Sequence, residues 1–156
     1  MRPIYESKED LSEESKIVSD LCAAWDCVYH KLPISYRLDF LLETKHSPST
    51  PQRPLGFVEC KRRNIYWNQY PDIMISLSKL IAAMNMEVAT GLVTNFVVKA
   101  NDALMWCRLN DAGGREDWVR MGGRTSDTRD DADIEPVIHI PVCEFSEVKW
   151  KFREVS

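Results

Sequence analysis

Tyr36-Arg-Leu-Asp-Phe-Leu-Leu42 and Leu55-Gly-Phe-Val-Glu-Cys-Lys-Arg62 are two short apolar runs, each interrupted by charge. Their length and residue types are those of strand interiors. Charge is unusual in such a place, because an unpaired buried carboxylate or ammonium costs several kcal/mol or else neutralises itself. Glu59 and Lys61 are two residues apart, so in a strand they share a face, while Cys60 points the other way. Neighbouring strands would bring Asp39 alongside them. Two carboxylates and one ammonium then face one spot.

Upstream, residues 1–9 read as a loose polar arm. From Leu11 to His30 the pattern is helical, with apolar residues at 11, 17, 18, 21, 22, 24, 25 and 28 falling on one face. Glu14 sits near the centre of that stripe, in line with Leu11, Val18, Leu21 and Trp25, and a Glu there needs a reason. Pro33 stops the helix and leads into the first strand.

Residues 43–54, with Ser, Thr, His, Gln and three prolines, read as a flexible connector. Downstream, Pro71 marks the start of a second helix running to Met86. Ala89 to Lys99 reads as a strand, turned back at Asn101-Asp102 into Leu104–Leu109. Residues 110–133 form a second flexible loop around one short run, Trp118–Met121, an added strand. Val137–Ile140 is a last strand, followed by a short amphipathic stretch. The expected fold class is α/β, a central mixed sheet of four to five strands flanked by the two helices, in one domain over residues 1–156.

With 44% apolar and 28% charged residues, the composition is that of an ordinary soluble protein, and no apolar run reaches the length of a membrane span. The N-terminus has no secretory pattern, and five cysteines without a Cys-x-x-Cys pair suit a reducing, cytoplasmic compartment. A net charge of -4 argues against a general nucleic-acid coating protein. It leaves room for an acidic site bridged to phosphate by a metal.

The chemistry of such a site follows from its residue types. Mg2+ (or Mn2+) takes oxygen ligands, commonly one or two carboxylates with waters and a substrate phosphate. Asp39 and Glu59 are the candidate carboxylates, the backbone carbonyl of Cys60 a third ligand, and Glu14 an outer-shell or second-metal ligand. Lys61, beside two carboxylates, should remain protonated and stabilise charge at phosphorus. Arg37, Arg62, Arg63 and Lys79 are the candidates for contacting nucleic-acid phosphates, with Tyr66, Trp67 and Tyr70 available for stacking on unpaired bases.

An early helix bearing Glu14, a strand bearing Asp39, then Glu59-Cys60-Lys61 and a following helix resemble the PD-(D/E)xK nuclease superfamily, the restriction-endonuclease-like fold with its αβββαβ core. Tyr36–Leu42 followed by Gly56-Phe-Val-Glu-Cys-Lys61 looks most like phage endonucleases of the junction-resolving type. Leu38 stands where that pattern usually has proline, a departure that many members share. The resemblance spans roughly residues 11–109. It implies metal-dependent cleavage of a nucleic-acid backbone without fixing the substrate, and is compatible with a homo-oligomer that pairs two active sites. The expected function is a phage-encoded Mg2+-dependent nuclease acting on DNA, duplex or branched. A module that keeps the fold and binds or assembles on nucleic acid without cutting is the alternative. A third reading makes Asp39, Glu59 and Lys61 a plain ion pair on a solvated sheet face. For His139 and Cys60 a structural role is expected, and Tyr66, Trp67 and Tyr70 also suit packing at a helix entry.

Overall fold

The computed structural model describes residues 7–123 and 134–149. Helix α1 (Lys8–Trp25) begins where Ser7 and Asp10 exchange side-chain and backbone hydrogen bonds, each 3.1 Å, which satisfies two orphan donors of the first turn. Residues 7–9 therefore belong to the helix start, and the remainder of the expected arm lies outside the described residues. The helix buries Ile17, Val18, Leu21, Cys22 and Ala24.

It ends earlier than the apolar spacing suggests. Asp26 adopts a left-handed conformation with φ of 56°, one of the few L-residues that does so cheaply, and the chain turns into strand β1 (Cys27–Lys31). The expected helix to His30 is thus a helix, a one-residue break and a strand.

Strand β1 pairs antiparallel with β2 (Phe40–Thr44), and β2 pairs antiparallel with β3 (Pro54–Arg62). Ile34–Tyr36 form a 3-10 turn closed by Arg37 at φ 64°, so Tyr36 and Arg37, expected at the start of the first strand, lie outside it. Arg37 consequently shares no strand face with Asp39. The connector expected at 43–54 is shorter, since Glu43 and Thr44 lie in β2 and Pro54 opens β3.

The second helix also starts later than Pro71. Strand β4 (Asp72–Ser76) comes first, with Ile73 and Ile75 alternating inward. Ser76 then caps α2 (Leu77–Thr90) by accepting a hydrogen bond from the Ser78 N–H. Strand β5 (Thr94–Lys99) runs parallel to β3 and antiparallel to β6 (Leu104–Arg108). Beyond β6, 3-10 turns at Leu109–Ala112 and Glu116–Trp118 precede β7 (Val119–Gly123), so the expected loop is partly ordered, while its residues 124–133 lie outside the described part. Strands β8 (Ile134–Pro141) and β9 (Ser146–Glu147) follow.

The result is a mixed α/β fold whose main sheet has the order β1-β2-β3-β5-β6-β9. It has six strands where four to five were expected, because β1 was read as helix and β9 is only two residues long. A second, antiparallel sheet has the order β4-β8-β7. Alternation along the central strands divides the core in two. Val58, Cys60 and Val97 pack with Phe40, Leu42 and the buried face of α1. Phe96 and Val98 pack on the other side with Leu80 of α2 and Ile73, Ile75, Ile138 and Ile140 of the second sheet. Glu59, paired with Phe96 in the β3–β5 register, belongs to that second side.

Candidate active site

Asp39 immediately precedes β2 and is held by three hydrogen bonds. Its N–H donates to the Val58 carbonyl at 3.1 Å, and its carbonyl accepts from the Leu32 N–H at 2.9 Å. Its side chain, almost fully buried, accepts through Oδ2 from the Cys60 N–H at 2.8 Å. A carboxylate pinned to the backbone of the adjacent strand has its remaining oxygen, Oδ1, fixed in direction.

Glu59 is 0% exposed, and among the described residues neither of its carboxylate oxygens receives a well-angled hydrogen bond. Two ammonium groups stand near Oε1: Lys79 Nζ at 3.2 Å and Lys61 Nζ at 3.7 Å. Burial raises the Glu59 carboxyl to about 7, with the charge of Asp39 adding to the rise, while Lys79 and Lys61 pull against it. The carboxylate is therefore incompletely compensated by the protein itself.

The structure brings Asp39, Glu59 and Lys61 together as the sequence pattern suggested. Lys79, in the first turn of α2, does more than face outward: its Nζ also donates to the Arg37 carbonyl at 2.6 Å, tying α2 to the 34–37 turn beside the site. Glu14 reaches the same region from α1. Its carboxylate lies 3.7 Å from Lys31 Nζ, and Lys31 in turn is 4.0 Å from Asp39 Oδ1 and 5.2 Å from the centre of the Phe40 ring. Lys31 is the site residue that sequence reasoning missed. The signal for it was the β-rich run Cys-Val-Tyr-His-Lys after Asp26, which places Lys31 opposite Phe40 once it is read as a strand.

The other candidates are placed differently. Arg62 donates to the Lys99 carbonyl at 3.0 Å and to Asn101 Oδ1 at 2.8 Å, so its guanidinium braces the β5–β6 turn. Arg63 donates to the Met74 carbonyl at 3.0 Å, and burial pushes its guanidinium down from its ordinary value. Arg63 is engaged inside the fold, whereas Arg62 is exposed and spends its guanidinium on these backbone and side-chain oxygens. Trp67 is buried against Phe145, with ring centres 5.0 Å apart, whereas Tyr66 and Tyr70 are exposed. His139 pairs through Nδ1 with Asp72 Oδ1 at 3.0 Å, across the β4–β8 pairing.

A hard divalent cation suits these donors. Glu59 offers oxygens that protein donors leave unsatisfied, and Asp39 adds a charged oxygen beside it, the chemistry that Mg2+ or Mn2+ selects. Among the described residues no three His, Cys, Asp or Glu side chains form a ready-made cage.

Comparison with known proteins bears on this geometry. No curated protein matches the sequence. Among solved structures, the fold is similar to Hjc, a Holliday junction resolvase from the archaeal hyperthermophile Archaeoglobus fulgidus. The TM-score is 0.51 at 10% identity, covering 87% of this chain and 92% of that one. It is also similar to D212, a nuclease from a fusselovirus, with a TM-score of 0.50 at 14% identity, covering 94% of this chain and 88% of that one. At such identities the likeness is one of fold alone. Residues 1–148 match the family model described as "Phage putative PDDEXK endonuclease". The chain with its Asp39, Glu59 and Lys61 belongs to that phage PDDEXK endonuclease family.

Proposed function

We propose that the chain is a single-domain, Mg2+- or Mn2+-dependent nuclease that hydrolyses phosphodiester bonds of DNA, acting in the cytoplasm of a phage-infected host. The observation that carries this reading is the Glu59 carboxylate: fully buried, with no well-angled hydrogen bond among the described residues, next to Asp39 and bordered by two lysines. Family membership supports it, as does the likeness of the fold to a resolvase and a nuclease. Among the described residues no helix is long and apolar enough to cross a membrane.

Asp39 and Glu59 would hold the cation, with the Cys60 carbonyl completing the protein's share and Glu14 assisting from α1. The bound cation supplies a water of lowered pKa and neutralises charge on the scissile phosphate. The Cys60 N–H orients Asp39, and burial of Glu59 keeps bulk water from competing for its oxygens. The two lysines divide the remaining work. Lys79 is tied to the Arg37 carbonyl and stays as a fixed counter-ion that holds Glu59 in place. Lys61, the more exposed of the two, is the group that turns to an arriving phosphate and stabilises the charge added at phosphorus. Arg37, half-buried on its turn beside Lys79, is the arginine best placed to meet the DNA backbone. Arg62 from the surface and Arg63 from within the fold contribute positive field.

The test is cleavage of supercoiled plasmid and of a branched DNA by wild type and Lys61→Ala, with Mg2+ or Mn2+ and with EDTA. Metal-dependent cutting that the variant loses is the expected result. DNA binding without cutting under any metal would overturn the enzyme reading in favour of a binding module.

A further inference from the structure

The connection from β1 to β2, residues 32–39, is closed at its base by the Leu32 N–H, which donates to the Asp39 carbonyl at 2.9 Å. Its apolar residues go in two directions. Leu38 enters the core at 2% exposure, whereas Ile34 and Tyr36 stand out at 44% and 52%, with Pro33 and Ser35 exposed beside them. The tip that carries them is nevertheless fixed. The Tyr36 N–H donates to the Pro33 carbonyl at 3.0 Å and the Arg37 N–H to the Ile34 carbonyl at 3.1 Å. Arg37 then takes a positive φ of 64°, which an L-residue keeps only where its surroundings hold it. Lys79 supplies such a hold: its Nζ donates to the Arg37 carbonyl at 2.6 Å while standing 3.2 Å from Glu59 Oε1. Asp39 at the base and Lys79 at the tip thus set two exposed apolar side chains beside the proposed site.

Cations border them. Arg37 is half-buried in the same turn, and the Lys61 and Lys79 side chains are 35% and 24% exposed. An apolar tip beside positive charge complements a nucleotide, which offers an apolar ring face and a phosphate. In continuous duplex that face is covered by its neighbours in the stack. We propose that the 33–36 turn is a stacking wedge, with Tyr36 on the face of an unpaired base next to the scissile phosphate and Ile34 against the adjoining pair. It selects DNA in which one strand leaves the duplex, at a bubble, flap or branch, over continuous duplex. This rests on the nuclease reading above. Tyr36 acts in substrate selection, and the chemistry stays with Asp39, Glu59 and Lys61.

Two measurements on the full chain test it. The first is the ratio of cutting rates, with Mn2+, for a duplex carrying a short bubble and for the same sequence fully paired. Wild type should cut the bubble faster by roughly tenfold or more, the scale of one base–aromatic stack. Tyr36→Ser should bring the ratio to about one, and Tyr36→Trp should restore it. Tyr36→Leu serves as a second ringless variant if the serine variant does not fold. The second is the fluorescence of 2-aminopurine placed in the bubble, read in EDTA at low salt so that nothing is cut. Wild type should quench it and Tyr36→Ser should not. A ratio near one in wild type, or an unchanged ratio in the ringless variants, would overturn the proposal and leave the nuclease reading standing. Should wild type cut neither DNA, the nuclease reading falls and the 2-aminopurine signal decides on the wedge alone. Equal quenching by wild type and Tyr36→Ser, or none by either, would then overturn it as well.

Discussion

Val58, Glu59 and Cys60 are consecutive in β3 and almost equally buried, at 0%, 0% and 1% exposure, yet their surroundings have nothing in common. Val58 and Cys60 face α1 and meet Ile17, Val18, Leu21 and Phe40. Glu59, on the other face, meets the ammonium groups of Lys61 and Lys79 and the charge of Asp39. Burial on the first face stabilises the fold by removing apolar surface from water. Burial on the second costs stability, because desolvation of the carboxylate is only partly offset by its lysines. One strand therefore carries apolar structure on one side and the proposed site on the other.

The sharpest way to separate the two faces is by their effect on cleavage. Asp39→Asn should lower the cleavage rate by roughly a thousandfold or more, the scale expected when a metal-bound carboxylate is removed. Val58→Ala, one strand away and facing α1, should cut at the wild-type rate under conditions where it is folded. Plasmid-nicking assays at matched folded concentration compare the two.

Stability should respond in the opposite sense. The Glu59 carboxyl has an ordinary value of 4.5 and a folded value of about 7, so the folded state binds its proton more tightly than the unfolded state. The stabilisation from that proton is fully present below 4.5 and lost as pH rises through 7. Glu59→Gln, which mimics the protonated acid, should make the metal-free protein more stable at pH 8 by about 2–3 kcal/mol. Near pH 4 the two should match. Urea unfolding at both pH values measures the difference. Loss of binding power in exchange for stability is what a functional carboxylate predicts.

On the apolar face, Val58→Ala should destabilise by about 2 kcal/mol, through lost burial and a cavity against α1. That loss should be the same at pH 5 and pH 8, since no titrating group is involved. A smaller effect comes from the helix that covers this face. Ser7→Ala removes the α1 cap and should cost about 1 kcal/mol, with no change in cleavage at 25 °C.

Much of this division is legible in the sequence, because charge inside an apolar run announces itself. Asp39 and Glu59-Cys60-Lys61 could be paired from alternation and strand order alone, and the structure brings them together as that reading suggested. The Glu14 puzzle, a carboxylate in the middle of an apolar stripe, is met in part by Lys31, whose strand is hidden where the helical spacing runs on. Val28 continues the helical spacing of α1, and Asp26 resembles one more polar-face residue, so neither Gly nor Pro marks the break. The left-handed turn at Asp26 is a tertiary outcome. Likewise Pro71 is a fair first residue of a helix. The strand that replaces it exists because Asp72–Ser76 finds β8, more than sixty residues later. Long-range pairing of that kind leaves no local trace.

The most direct test of the account is thermal unfolding at pH 8 with and without Mn2+, for wild type and Glu59→Gln. A buried carboxylate completed by a divalent cation predicts that Mn2+ raises the wild-type midpoint and leaves that of the variant, already the higher in the absence of metal, nearly unmoved. Equal shifts in the two proteins, or no shift in wild type, would contradict the claim that Glu59 is where the metal binds.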